Sequence, residues 1–213
     1  MLSLKILILG SLQTNCYLLH DQESQSAVIV DPADDASKIL QELNLLHAHL
    51  QEIWITHAHF DHIGAANSLA SIFNQVPIAL HPDDLPLWKM DGGAPLFGLP
   101  IKAGPEPQKL LSHNCNLNLG NYTFKVLHVP GHTPGHVVYY CAEQNILISG
   151  DVLFKGGVGR TDLPGGSWQQ LMNGIRQHLL ILPDETLVYP GHGPETSIGV
   201  EKRENPFLGG DVI

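Results

Sequence analysis

Thr56-His57-Ala58-His59-Phe60-Asp61-His62 sets three imidazoles and a carboxylate on one short stretch of chain. Before it, Glu52-Ile53-Trp54-Ile55 has the apolar character of a buried strand; after it, Ile63-Gly64-Ala65-Ala66-Asn67-Ser68-Leu69-Ala70 patterns as a helix. The polar groups therefore lie on a strand-to-helix loop between two rigid elements, which is how a protein fixes coordination geometry. Imidazole with carboxylate suits zinc, iron and related first-row metals. The plain alternative is a polar loop that happens to be rich in histidine, and His47-Ala48-His49 illustrates it. There the His-x-His spacing recurs with no Asp-His behind it, and a surface loop is expected.

Composition points the same way. Thirteen histidines stand against eleven Lys plus Arg, and His57, His59, His62, His132, His136 and His192 fall within Gly-, Pro- or Asp-containing motifs. Formal net charge is -10 with no block of Lys or Arg, so the electrostatic footprint of a nucleic-acid binder is missing. Cys16, Cys115 and Cys141 are scattered and form no Cys-x-x-Cys pair, which suits a reducing cytosol better than a disulfide framework. The apolar start lacks a basic n-region and a cleavage site and is read as a strand, and no apolar run nears the roughly 18 residues of a membrane span. The expectation is a cytoplasmic protein with no nucleic-acid or membrane partner. Its 213 residues are read as a single domain (1–213), able to bury roughly 70 to 75% of its unfolded surface.

Along the chain, 2–9, 14–20 and 26–31 pattern as strands divided by polar turns, most economically an antiparallel meander. Asp34 or Asp35 can cap a helix running to about Leu46, with Ile39, Leu40, Leu43 and Leu46 on one face. A strand at 76–80 is followed by an irregular Pro- and Gly-rich excursion, 82–108, with Leu87, Trp88, Leu96 and Phe97 as apolar anchors; such loops rim active sites or pack as surface excursions. The strand at 122–129 delivers Pro130-Gly131-His132-Thr133-Pro134-Gly135-His136. Strands at 137–140 and 145–149 follow, the second stopping at Gly150-Asp151. A helix at 167–180 with Ser167 as its cap precedes a last strand, 186–189, which ends in Pro190-Gly191-His192-Gly193-Pro194. No internal repeat or linker divides the chain, and the order of elements suits two packed sheets flanked by helices.

His57, His59, Asp61, His62, His132, Asp151 and His192 thus all lie at the ends of predicted strands. Strands of packed sheets end along common edges, so these loops can converge. One zinc with three protein ligands and an open position would use fewer than half of these groups, whereas two metals sharing a bridging carboxylate would use all of them. The Thr-His-x-His-x-Asp-His run, the Pro-Gly-His-Thr-Pro-Gly-His loop, Ser149-Gly150-Asp151 and Pro190-Gly191-His192-Gly193-Pro194 resemble the motif series of the metallo-β-lactamase superfamily. From about residue 4 to Asn205-Pro206-Phe207-Leu208 the chain is similar to the glyoxalase II-like branch, the hydroxyacylglutathione hydrolases, in a short bacterial form.

That resemblance implies an α/β fold, a four-layer αββα sandwich of two mixed β-sheets flanked by helices, with a dinuclear site at one edge. It implies that His57, His59 and His132 hold one metal, that Asp61, His62 and His192 hold the other, and that Asp151 bridges them, with Asp61 and Asp151 as the catalytic carboxylates. The cofactors would be two divalent ions, zinc most often, with iron or manganese also found; nitrogen and oxygen donors alone do not choose among them. Two divalent ions outweigh two carboxylates and one hydroxide, and a net positive centre acidifies bound water and polarises a carbonyl. The implied activity is metal-dependent hydrolysis of a glutathione thioester such as S-lactoylglutathione, by a metal-held hydroxide, to a hydroxy acid and glutathione. His136 and Asp31 are expected to support the ligands from behind.

Two features depart from that pattern. Full-length glyoxalase II enzymes carry a C-terminal helical region that contributes to the glutathione site; no separate domain of that kind is expected here, and the 82–108 excursion is the candidate for the missing wall. In Gly156-Gly157-Val158-Gly159-Arg160-Thr161-Asp162, Arg160 and Asp162 stand where glyoxalase II usually has lysine and tyrosine. Gly-Arg-Thr-Asp is similar to the persulfide dioxygenases, which use a single iron to oxidise glutathione persulfide, and this is the second reading. Arg160 is a candidate substrate-binding residue, with a structural ion pair as its alternative. A non-catalytic metal- or thiol-binding module is the third reading.

Overall fold

The chain opens with β1 (Leu2–Leu9), β2 (Thr14–Asp21) and β3 (Ser26–Val30), hydrogen-bonded as an antiparallel meander. In this computed structural model, residues 1–74 and 76–208 are described. β2 is buried along its whole length, with Cys16 and Leu18 on one face and Tyr17 and Leu19 on the other. A strand with period-two side chains and no exposed face must be covered on both sides, so a layered fold is already required. The Asp35 side chain accepts from the Lys38 amide and caps α1 (Ala36–Leu45), which buries Ile39 and Leu43. Leu46 closes the helix, and the chain returns as β4 (His49–Trp54), parallel to β3. His47 and His49 are exposed, but His49 opens this strand, so the stretch is only partly a loop.

β5 (Ile78–Leu80) and β6 (Lys109–Leu110) continue in parallel and complete a six-stranded mixed sheet in the order β1-β2-β3-β4-β5-β6. The second mixed sheet runs β14-β13-β10-β9-β8-β7. Its strands are β7 (Asn116–Leu119), β8 (Tyr122–His128), β9 (Val137–Cys141), β10 (Ile146–Gly150), β13 (Leu187–Pro190) and β14 (Thr196–Ser197); only β10 and β13 pair in parallel. β11 (Leu153–Phe154) and β12 (Gly157–Val158) make a small ribbon beside it.

Three apolar layers hold these elements together. Between the sheets, Trp54 sits edge-on to Phe124 at 5.2 Å and 5.3 Å from Tyr139, among Tyr17, Val28 and Ile148. On the outer face of the first sheet, Leu18, Ile29 and Ile53 pack with residues of α1, α3 (Ala66–Ile72) and α4 (Leu85–Lys89). On the outer face of the second, Leu127, Val138 and Leu147 pack against Leu171 of α5 (Trp168–Gly174) and Ile198 of α6 (Ile198–Glu204). The result is the αββα sandwich, with about 1.5–3 kcal/mol from each fully buried large apolar side chain. No helix among the described residues is long and apolar enough to cross a membrane.

Several element boundaries differ from the sequence expectation. The helix expected over 63–70 is two pieces, α2 (Phe60–Ile63) and α3, because the Ala65 amide donates to the Pro32 carbonyl at 2.8 Å instead of continuing the helical ladder. The helix expected over 167–180 ends as α5 and widens into a π-turn over Ile175–Leu179, with the Leu180 amide on the Ile175 carbonyl. The 82–108 excursion contains α4 and two 3₁₀ turns. β13 is not the last element: β14 and α6, capped by Ser197, follow it, and β7 precedes β8. Its Asn-Leu-Asn-Leu alternation is a strand signal disguised by asparagine.

Candidate metal centre

The loops after β3, β4, β8, β10 and β13 meet at one edge of the sandwich. His57 and His59 follow β4, Asp61 and His62 occupy the single turn α2, His132 lies between β8 and β9, Asp151 follows β10, and His192 follows β13. Three donor groups assemble: His57, His59 and His132; Asp61, His62 and His192; and His57, His62 and Asp151. Within each, the ligand atoms lie within 4.8 Å of one another. Asp151 joins the first two groups, with Oδ1 3.5 Å from His62 Nε2 and Oδ2 3.6 Å from His132 Nε2 and 3.7 Å from His192 Nε2.

The far nitrogens of these rings are tied to the protein, which fixes their tautomers. His62 Nδ1 donates to Asp31 Oδ2 at 2.9 Å, His132 Nδ1 to the Arg160 carbonyl at 2.8 Å and His192 Nδ1 to the Leu12 carbonyl at 3.1 Å. The Thr56 hydroxyl donates to Asp31 Oδ2 at 2.7 Å, so its lone pair accepts from His57 Nδ1, 3.0 Å away. His57, His62, His132 and His192 therefore each turn Nε2 inward, the arrangement by which protein partners orient metal ligands, while His59 brings its Nδ1 within 3.0 Å of His132 Nε2. Asp31 also accepts from the Thr56 amide at 2.8 Å and holds a left-handed backbone, φ 51°. His136 stands behind the centre: its ring stacks on His57 at 4.6 Å and its Nε2 accepts from the Asp151 amide at 3.0 Å.

The inward atoms are left without partners. His57 Nε2, His62 Nε2 and Asp151 Oδ1 are buried and make no hydrogen bond. Each orphaned group costs about 1–3 kcal/mol, so three facing a common space demand a counter-group. A cation fits this donor set of imidazoles and carboxylates, and two cations use all of it.

Close approach explains the motif glycines. A Cβ on Gly191 would fall 2.1 Å from Asp151 Oδ1 and 2.7 Å from His62, and one on Gly159 would fall 2.0 Å from the Asp151 carbonyl. Only glycine lets those loops close on the carboxylate.

Charge states divide the centre. Burial, reinforced by neighbouring imidazoles, holds His57 and His136 well below the ordinary histidine value and His59 down to about 3. His132 is lowered as well, again chiefly by burial. For His62, burial is outweighed by Asp61, Asp151 and Asp31, which raise it to about 10; His192 is raised against burial by Asp61 and Asp151. Burial pushes Asp61 up, but His62 and His192 outweigh it and hold the carboxyl low.

Other residues around the centre belong to no motif of the sequence. Thr14 Oγ1 donates to Asp61 Oδ2 at 3.2 Å. Asn15 Nδ2 donates to the Pro190 and Gly193 carbonyls, both at 2.9 Å, and Tyr17 OH to Pro190, stitching the His192 loop to β2. The buried Asp84 touches the loop of His57 and His59 and the loop of His132. Polar Thr14 and Asn15 in a wholly buried strand were the available hint. Arg160, by contrast, is displayed: its guanidinium is forked onto Asp162 at 2.8 Å through both Nε and Nη2, which raises the arginine and lowers Asp162 to about 2, while its carbonyl orients His132.

A groove of about 470 Å³ opens beside Asp61. Leu12 of the β1–β2 turn, Phe60, and Leu99, Ile101 and Lys102 of the excursion line it. Lys102 is paired with Asp91 at 2.7 Å.

Comparison with known proteins places this geometry. Residues 9–192 match the Metallo-beta-lactamase superfamily. A hydroxyacylglutathione hydrolase, GloC, of Haemophilus influenzae is 38% identical over 97% of this chain and 98% of its own length. Among solved structures, BLEG-1, described as a B3 metallo-beta-lactamase, superposes with a TM-score of 0.91 at 41% identity, covering 98% of this chain and all of its own. TTHA1623, solved in a di-iron-bound form, gives 0.88 at 43%, covering 96% of this chain and all of its own. With two mixed sheets between helices and the His/Asp clusters at their edge, the chain belongs to the metallo-β-lactamase superfamily.

Proposed function

We propose that the protein is a dinuclear metal-dependent thioester hydrolase of the glyoxalase II-like branch, acting in the cytosol on acylated glutathione. The observation that carries this reading is the set of orphaned atoms, His57 Nε2, His62 Nε2 and Asp151 Oδ1, facing one space within two complete donor groups. His57, His59 and His132 would hold one ion and Asp61, His62 and His192 the other, with Asp151 reaching both. Bound there, divalent ions supply Lewis-acid polarisation of a carbonyl and a water of lowered pKa.

The chain's own part is orientation and charge. Asp31 and Thr56 hold the inward tautomers, Asp61 and Asp151 bring two negative charges to the ions, and the groove beside Asp61 takes the substrate along the apolar edges of Leu12, Phe60 and Leu99. To Arg160, forked onto Asp162, we assign the contact with a substrate carboxylate.

The GloC relative, named a hydroxyacylglutathione hydrolase and matched over 98% of its own length, supports the glutathione thioester. The groove supports a role of the excursion as pocket wall. Deleting 91–104 would confound that role, because Gly92 packs so closely on the metal loop that a Cβ there would fall 2.4 Å from the Phe60 nitrogen. Leu99→Ala with Ile101→Ala is the cleaner probe, expected to raise KM with metal content unchanged.

The test of function is to assay the metal-loaded protein in parallel for S-lactoylglutathione hydrolysis, oxygen uptake with glutathione persulfide, and hydrolysis of a β-lactam. Thioester turnover well above the β-lactam rate and no oxygen uptake is expected. Oxygen uptake with one iron per chain would establish the dioxygenase reading instead, and two bound ions with no turnover would indicate a binding module.

A further inference from the structure

Asp84 belongs to none of the donor groups around the centre. It ends the 3₁₀ turn Pro82–Asp84 after β5 and is fully buried. A carboxylate in such a place is costly unless its lone pairs are filled. Its Oδ2 accepts from the Ala58 amide at 2.9 Å and the Thr133 hydroxyl at 2.8 Å, and its Oδ1 accepts from the Gly135 amide at 2.6 Å. Ala58 lies between His57 and His59, and Thr133 follows His132. One carboxylate therefore spans the two loops that supply the all-imidazole group. The fit has no slack: a Cβ on Gly135 would fall 2.5 Å from the Asp84 nitrogen. The His192 loop is anchored elsewhere, by Asn15 and Tyr17.

We propose that Asp84 is a positioning residue that sets the spacing of His57 and His59 against His132, and so governs the metal affinity of that group alone. The proposal rests on the two-ion reading. It differs from the role of Asp31, which bonds the His62 ring directly; Asp84 touches no ring, bonding the Ala58 and Gly135 amides and the Thr133 hydroxyl, and acts on where the loops stand.

Asp84→Asn tests it. The substitution keeps volume but turns an NH₂ toward at least one of the three donors, so one bond of the clamp becomes a repulsion. Equilibrium metal titration of wild type and variant against a chromophoric chelator should show one equivalent weakened by about 10–100-fold, the usual consequence of losing a partner behind the ligands. The other equivalent should keep its wild-type affinity. With cobalt as the probe, the absorption bands of the weakened equivalent should shift and those of the other should not. Thr133→Val removes a single contact without placing an unpaired amide in the core, and should weaken the same equivalent by less. Glu106→Gln, at an exposed carboxylate paired with Lys89, should leave both unchanged. Unchanged affinity of both equivalents in Asp84→Asn and Thr133→Val, or equal weakening of both, overturns the proposal while the two-ion reading stands. Wild-type protein that binds fewer than two equivalents overturns that reading and the proposal with it.

Discussion

On one side of the centre, His57, His59 and His132 are pressed by burial into the neutral state; on the other, His62 and His192 stand beside Asp61 and Asp151 and are held toward the charged state. The same side chain is thus placed in opposite electrostatic settings a few ångströms apart. The difference lies in the counter-charge. The all-imidazole side brings lone pairs with no negative charge of its own, whereas the other side carries carboxylates that keep a proton on an imidazole until something else supplies the positive charge. Asp151 is where the two settings touch, and Asp31 reaches His62 directly and His57 through Thr56.

Removing the shared carboxylate should break the contrast most severely. Asp151→Asn leaves both groups without the carboxylate that joins them, and if the loss equals the several kcal/mol that metal activation contributes, the proposed thioester hydrolysis should fall on the order of 10³-fold. Steady-state rates with metal content measured on the same sample check this, and near wild-type turnover would mean that Asp151 does not connect the two sides.

Asp31→Asn should act next. It replaces one of the two acceptor oxygens that serve His62 Nδ1 and Thr56 with an NH₂, and a fall of about 10–100-fold in metal affinity is expected. Buried donors left unpaired should also lower stability by about 1–3 kcal/mol. Metal titration and denaturant unfolding read the two effects separately.

The opposed charge states make a prediction for protein stripped of metal. An unfolded histidine titrates near the ordinary value of about 6.5. His59 stays neutral in the fold down to about 3 and His81, lowered by burial and by His128, to about 4. Below about pH 6.5 the unfolded chain therefore binds more protons, and stability falls as pH drops. His62, raised to about 10, has the opposite sign: above about pH 6.5 the folded chain holds the extra proton, so its contribution is lost as pH rises toward 10. Melting temperatures of the stripped protein should peak near neutrality and fall on the order of 5 °C toward pH 4.5 and toward pH 9. A curve that climbs steadily in either direction would contradict the assignment of the two sides.

The smallest effect should come from the exposed loop. Arg160→Ala removes a guanidinium already committed to Asp162, and a rise of about two- to fivefold in KM for a glutathione thioester, with kcat and metal content kept, is the expected size for one exposed charge contact. An unaltered KM would leave the Arg160 carbonyl, bonded to His132, as that residue's contribution.

The same division of exposed chemistry from buried support marks what could be read from the chain. The convergence of the loops that carry the candidate donors was legible because metal-binding residue types recur at strand ends, and the meander and α1 were legible because alternation and capping are local. The proposed division of those loops between two ions came from the resemblance. Asp84 was not legible: it is identical in type to the solvent-facing Asp83, and only the folded chain brings Ala58 and Gly135 to it. Asn15 and Tyr17 are similar cases, acting across more than 170 positions on the Pro190 carbonyl. The break between α2 and α3 depends on Pro32, far from it in sequence, and was invisible to helical periodicity. Arg160 paired with its near neighbour, a contact within reach of the sequence, yet its carbonyl on His132 was not.

The account as a whole turns on two ions held together. Titrating stripped protein with a divalent metal while following S-lactoylglutathione hydrolysis measures this directly. Two equivalents bound per chain are predicted, with full hydrolysis reached only as the second is filled. Full hydrolysis at one equivalent, or saturation at one ion per chain, would contradict it.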